Sequence, residues 1–556
     1  MTKTGEILLI FFVLLSIILS SPEKALTQSV STELYETEED LKEGLENGDL
    51  TYDEYLELLD LIRSKLNVDS YDTTRLLFVP DVTSFDVVQR LELKTRILSP
   101  LAKTAPFVRL APEGKNPIKG EFIWQSYQKI EENAKPENLA ILRMEDKRRF
   151  SLDLTMEQDE SKRLETQKRS LRVFNLLNSA DLVLGNFEKR IGLGLNLGYH
   201  PLFRYSLDDT LNIKDSFLYP IRGRYNGILL ESKSRFFSPG LIISKNKFGN
   251  LEDKLYALHL SFIRKRSKLG ILLSRGELKN SSTGNLFRDD CGSVYLDLFW
   301  RKLRLTSELA WMWNSQKGFA LNFGARGKSH SVSGYFWWYS REFVHPHGGG
   351  VSNPDYESIY LLDDIDFSYR TRQKGERGIL LKSAYRFSSG IFFDFALNQW
   401  KKNPGSDQSL RLKTGGGYRL TESVLTEIHL LWSDNWEVSR TDYFNLSWDW
   451  VYWLIDETYL RLRTNYRTKR LTTRTKEYGD LQMKIGDVKV FPLNINAWLR
   501  YTDPDFSSSG NSYWNLNFEE KLDFLRSYSI SVRYLAYLYP AKDNRHTIRV
   551  RWEMRW

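Results

Sequence analysis

The chain closes on an unbroken alternation. Ile548, Val550, Trp552, Met554 and Trp556 are apolar, and Arg549, Arg551, Glu553 and Arg555 lie between them. Successive side chains of a β-strand point to opposite faces, so this stretch has one apolar and one charged face. A slip of one residue would put three arginines and a glutamate where the apolar set belongs, at roughly 2–4 kcal/mol for each arginine at a bilayer midplane. The same period recurs upstream. Tyr528, Ile530, Val532, Tyr534, Ala536 and Leu538 oppose Ser529, Ser531 and Arg533, and Leu460, Leu462, Thr464 and Tyr466 oppose Arg461, Arg463, Asn465 and Arg467.

From about residue 117 onward the chain reads as such strands, broken by turn signals at Ser388-Ser389-Gly390, Lys402-Asn403-Pro404-Gly405 and Ser508-Ser509-Gly510-Asn511. The spacing predicts roughly 20–26 strands, within the range of large membrane barrels. Composition agrees: 27% of residues are charged, yet 14% are aromatic, including 16 Trp and 29 Tyr. A chain polar on average but rich in aromatics suits a wall with lipid outside, a wet lumen inside and aromatic girdles at both interfaces. A soluble secreted β-protein is the alternative. The expected fold is therefore mainly β, a large closed antiparallel transmembrane β-barrel preceded by a small α-helical domain. The expected division is a signal peptide (1–27), a helical domain (28–110) and the barrel (111–556).

The N-terminal expectations rest on local patterns. Ile7 to Leu19 is apolar except for Ser16, long enough for an export signal but short for a membrane span, and Ala25-Leu26-Thr27 offers a cleavage site. An uncleaved anchor is the other reading. Thr37-Glu38-Glu39-Asp40 and Thr51-Tyr52-Asp53-Glu54 look like capping boxes, and Tyr55, Leu58, Leu59, Ile62 and Leu66 follow at helical spacing. Cys291 is the one cysteine, so an intrachain disulfide is excluded.

Two segments resemble a family of exported barrel proteins, common in Bacteroidota and related phyla, with an N-terminal helix-hairpin-helix region. The first runs from Leu66-Asn67-Val68-Asp69-Ser70-Tyr71 through Leu77-Phe78-Val79-Pro80-Asp81-Val82-Thr83 to Val87-Val88-Gln89-Arg90-Leu91. The second is Leu182-Val183-Leu184-Gly185-Asn186-Phe187, then Ile191-Gly192-Leu193-Gly194-Leu195 with Gly198 beyond, similar to a Gly-Asp-Tyr and Gly-Gln-Gly-Leu signature. Leu154 to Asp159, Tyr339 to Phe343 and Glu376 to Leu381 are also similar to it. The resemblance implies the architecture and no specific activity. Trp552, Met554 and Trp556 resemble the C-terminal signal read by the outer-membrane barrel assembly machinery. That machinery and outer-membrane lipid are the expected partners, together with a periplasmic protein for the helical domain.

The hairpin is degenerate. Asp81 and Thr83 stand where glycines would let backbone N–H groups approach phosphate, and the flanking helices are acidic, so nucleic acid is not an expected partner. Closely spaced Gly185, Gly192, Gly194 and Gly198 have no strand-to-helix context for a phosphate loop and read better as bends packed against an inserted segment.

Catalytic or metal chemistry would have to rest on the histidines. His330-Ser331-Val332-Ser333 contains a Ser/His pair faintly similar to the active-site strand of outer-membrane phospholipases. His345-Pro346-His347 before Gly348-Gly349-Gly350 could ligate a metal with Glu342 or Asp355, the simpler reading being a long flexible loop. Asp363-Asp364-Ile365-Asp366 could hold a cation or form a solvated acidic edge. No catalytic site, cofactor or metal is predicted. The expected lumen-facing residues are Arg461, Arg463, Arg467, Arg533, Arg549, Arg551 and Arg555, as an anion-favouring lining or as ladders bracing the wall. The leading expectation is a channel or transport-related pore, plugged or gated by the helical domain. A membrane-anchored interaction scaffold and an outer-membrane hydrolase are the alternatives.

Overall fold

Alternation becomes a wall when each strand finds a partner on both sides. In the computed structural model twenty-four strands do so, in one closed antiparallel ring. The structure describes most of residues 118–556, outside 199–217, 219–224, 349–374 and some short turn segments; before them it describes Leu41, Leu66–Asn67 and Val108–Arg109. The expected signal peptide, the helical segments, the hairpin Pro80, Asp81, Val82 and Thr83, and Asp355 and Asp363 to Asp366 lie outside the described residues.

Leu66–Asn67 (β1) and Val108–Arg109 (β2) form a short parallel pair. The ring begins with β3 (Lys119–Lys129), β4 (Glu137–Asp146), β5 (Phe150–Gln158), β6 (Leu164–Leu176) and β7 (Ala180–Phe187). It continues through β8 (Tyr225–Ser232), β9 (Phe237–Phe248), β10 (Leu251–Arg264), β11 (Ser267–Asn280), β12 (Leu286–Trp300), β13 (Leu303–Met312), β14 (Lys317–Arg326), β15 (His330–Tyr339), β16 (Glu376–Arg386) and β17 (Ile391–Lys402). The last sector is β18 (Gln408–Thr421), β19 (Val424–Asn435), β20 (Thr441–Ile455), β21 (Thr458–Arg470), β22 (Thr475–Val490), β23 (Leu493–Asp503), β24 (Tyr513–Phe524), β25 (Tyr528–Leu538) and β26 (Arg545–Arg555).

Each strand pairs with its sequence neighbour, and β26 returns to β3, with Trp552 opposite Trp124 and Arg555 opposite Glu121. Trp556 seals the seam: its N–H donates to the Gly120 carbonyl at 3.1 Å, and the Gly120 N–H donates to its carbonyl at 2.9 Å. Closure leaves no edge strand, so the backbone can lie in hydrocarbon. Strands about 4.8 Å apart and tilted by roughly 40° make a ring of this number some 45–50 Å across at the backbone.

The outer face is apolar as expected. Trp124, Leu241, Ile243, Leu258, Leu273, Phe336, Phe395, Trp448, Leu516, Val532 and Ile548 are all exposed on it. The two ends differ. At the Trp556 end the connections are tight, for example 265–266, 301–302 and 456–457, whereas the two long connections, 188–224 and 340–375, leave from the other end.

Candidate functional site

The wall is irregular where the first long connection departs. β7 and β8 stop at the Phe187–Tyr225 pair, and Leu164–Arg169 of β6 and Lys245–Phe248 of β9 have no ladder partner in them. Two asparagines cap the exposed backbone. Asn186 Oδ1 accepts from the Arg169 N–H at 2.9 Å, and Asn226 Nδ2 donates to the Lys245 carbonyl at 3.1 Å. Gly185 sits at φ 92°, where an added Cβ would meet the Arg169 carbonyl at 2.4 Å. Only glycine takes that backbone at that distance without strain.

The chain then turns into the lumen. Residues 191–198 form a compact turn, closed by Ile191 N–H to the Leu197 carbonyl at 3.0 Å. Leu195 and Leu197 are fully buried against the inner wall. Glu308 on β13 anchors the turn, its Oε2 accepting from the Leu193 N–H at 2.6 Å and the Leu195 N–H at 3.2 Å. Gly192 stands at φ 63° directly over this carboxylate, and a Cβ there would lie 2.7 Å from Oε2. Gly194 also has positive φ, and the Gly198 N–H donates to the His347 carbonyl at 2.9 Å. Gly192, Gly194 and Gly198 thus lie in the bend of the inserted segment.

That last bond ties the segment to the second long connection. Phe343, His345 and His347 are buried in the lumen rather than carried on a free loop, which corrects the flexible-loop expectation. His345 Nδ1 lies 2.9 Å from Asp289 Oδ2 of β12, and its Nε2 is 2.9 Å from Asn196 Oδ1 and 3.1 Å from Ser274 Oγ of β11. The Ser274 hydroxyl donates to Asn196 Oδ1 at 2.5 Å, so it is engaged within this clasp. His347 Nε2 faces Asp253 Oδ1 of β10 at 3.2 Å. Burial pushes the His345 pKa below the ordinary 6.5, against the opposing pull of Asp289.

Two apolar clusters continue the arrangement. Ile191 and Leu197 pack with Val183, Leu229, Ile242, Leu255 and Leu272, and Leu193, Leu195 and Phe343 pack with Ala310, Ala320, Tyr335, Trp337 and Trp400. The inner wall from β7 to β17 is a buried core. The sequence does carry a signal for this: Leu269-Gly270-Ile271-Leu272-Leu273 is apolar at both parities, the mark of a strand covered on both faces.

Neither histidine idea gains a site. His330 and Ser333 are three apart on β15 and so face opposite ways: His330 stacks on lipid-side Tyr385, while Ser333 is opposite Lys382 at lumen parity. The rings of His345 and His347 lie 6.0 Å apart, each turned to its own carboxylate, and Glu342 is exposed away from them. Among the described residues no group of three or more His, Cys, Asp or Glu is placed to hold a metal.

The far wall, β20–β26, is lined differently. Asp449 on β20 accepts from Arg461 Nε at 2.7 Å and Arg463 Nε at 2.9 Å. Arg467 lies over the Tyr478 ring at 4.9 Å and Arg549 over Tyr127 at 5.7 Å. Arg533 donates to Asn517 Oδ1 at 3.0 Å and lies over Trp498 at 5.0 Å. Arg551 and Arg555 share Glu553, and Arg555 also approaches Glu121 at 3.6 Å. These seven arginines face the lumen. With Lys484, Arg500 and Lys521 they face it beside the carboxylates Asp449, Asp480, Glu519, Asp523 and Glu553 among the described side chains of these strands. The arginines brace the wall and also leave it with a cationic surplus.

No protein-family model matches the chain, and no curated protein sequence does. Among solved structures it is similar to the siderophore receptor PirA from Pseudomonas aeruginosa, at 8% identity and TM-score 0.45 over 80% of this chain and 82% of that one. The P pilus usher (PapC) translocation pore matches at 8% identity and TM-score 0.38, covering 79% of this chain and 99% of that one. The copper transporter OprC matches at 5% identity and TM-score 0.40, covering 81% and 82%.

Proposed function

We propose that the chain is an outer-membrane pore for anionic solutes, narrowed by its own in-folded segments. The carrying observation is the lumen's asymmetry. Residues 191–198, with Phe343, His345 and His347, cover the inner wall between β7 and β17, while the β20–β26 wall keeps an arginine-rich lining. A ring of this size leaves room for a path beside segments that pack on one side. Cations in excess along that path lower the barrier for anions and raise it for cations.

The remaining assignments belong to the same reading. The tight turns at the Trp556 end face the periplasm and the long connections face outward, as in barrels of this kind. Residues 28–110 then hang at the periplasmic mouth, where they would obstruct the pore or dock a periplasmic protein. Trp552, Met554 and Trp556 would present the terminal strand to the assembly machinery.

Planar-bilayer recording tests the proposal. Full-length protein should give stepwise conductance with a reversal potential favouring anions in a salt gradient. Silence of both the full chain and a form lacking residues 28–110 would overturn the pore.

A further inference from the structure

The outer surface of β9–β12 changes character along its length. Ile243, Tyr256, Leu258, Ile271 and Leu273 are exposed and apolar, as lipid contact requires. Toward the end that bears the long connections, the same outward parity carries Lys245 and Lys247, Glu252 and Lys254, Arg275, Glu277 and Lys279, and Arg288 and Asp290.

The acids in this patch are already engaged. Asp290 is held by Arg275 at 2.5 Å, Glu277 by Arg288 at 3.6 Å, and Glu252 by Lys245 at 2.7 Å and Lys254 at 3.7 Å. The register puts Lys245 directly opposite Lys254, and sets Glu252 between Lys247 on one side and Lys279 on the other. Lys254 also lies directly opposite Glu277, so six basic residues, Lys245, Lys247, Lys254, Arg275, Lys279 and Arg288, share the three carboxylates Glu252, Glu277 and Asp290. Like charges directly across a ladder destabilise it. The buried lumen face of these strands uses the other parity, so the fold does not require the lysines.

We propose that Lys245, Lys247, Lys254 and Lys279 form a docking surface for phosphate-bearing lipid headgroups in the leaflet on that side. The inference rests on the membrane placement above. Headgroup phosphates sit just beyond the hydrocarbon, which is where the apolar rows end. Lysine stems can lie along Ile243 and Tyr256 while their ammonium groups reach that layer. An anionic phosphate bridging two lysines replaces their mutual repulsion with attraction.

The test uses full-length protein in nanodiscs of phosphatidylcholine with phosphatidic acid as a minor component, read by native mass spectrometry of retained lipid. Phosphatidic acid should be enriched on the wild-type protein. The variant K245Q/K247Q/K254Q/K279Q should lose that enrichment by about tenfold or more, with unchanged heat-modifiable gel migration. Millimolar inorganic phosphate should leave the lipid in place. Equal retention of the two lipids by wild type would overturn the proposal without any variant. So would a folded variant that keeps the enrichment, or displacement by inorganic phosphate, which would mark a site for the free ion. Failure to enter nanodiscs at all would instead refute the membrane placement.

Discussion

Glu308 shows how one side chain holds a lumen segment. It supplies the acceptor for two buried N–H groups, and Gly192 gives it room. Removing it in Glu308→Ala orphans both donors at roughly 1–3 kcal/mol each. The expected outcome is a lower thermal midpoint in detergent and a larger single-channel conductance as residues 191–198 come loose. Unchanged conductance would show that the segment does not narrow the path. His345 adds a pH dependence of definite sign. Burial lowers its pKa when docked, so the undocked ring binds protons more readily once the pH falls below 6.5. Asp289, His347, Asn196 and Ser274 face it, and the pull of Asp289 is the weaker effect. Acidification from neutral toward about pH 5 should therefore undock the clasp and raise conductance, reversibly. The variant His345→Gln should lose most of that response. A conductance that falls with acid would contradict the assignment.

At the scale of the strand, legibility in the sequence follows contrast between the two faces. Strands β21, β25 and β26 have one apolar and one charged face, so their alternation is plain, with Arg461, Arg463, Arg467, Arg533, Arg549, Arg551 and Arg555 on the charged one. Strands β10 to β15 have apolar contacts on both sides. There parity carried little information, and Asp253, Ser274, Asp289 and Glu308 went unnoticed as anchors. Their partners at Leu193, Asn196, His345 and His347 come from distant connections, and no local pattern announces such a contact. The orientation of β26 can be checked directly. Val550→Arg puts a guanidinium into the apolar band and should cost roughly 2–4 kcal/mol, read by urea unfolding in lipid vesicles. Arg551→Leu, one residue on, faces the lumen and should cost much less. The reverse ranking would mean that the strand is turned over.

The whole molecule divides its interior between two tasks. From β7 to β17 the inner wall is a core, with Leu195, Leu197, Trp337 and Trp400 buried as they would be in a globular domain. From β20 to β26 the wall meets the lumen through guanidinium groups steadied by Asp449, Glu553 and the rings of Tyr478, Trp498 and Tyr127. A wide ring with one side filled has a bore set by the filling and a charge set by the opposite wall. The two properties should then respond to different mutations. Arg463→Glu with Arg467→Glu should shift the reversal potential toward cations with little change in step size, because the in-folded segments stay where they are. Glu308→Ala should change step size and leave the reversal potential near that of wild type, because the arginine wall is untouched. Bilayer recordings of the two variants under one salt gradient make the comparison. If both properties moved together in either variant, filling and lining would share one constriction, and the division of the lumen into core and path would be wrong.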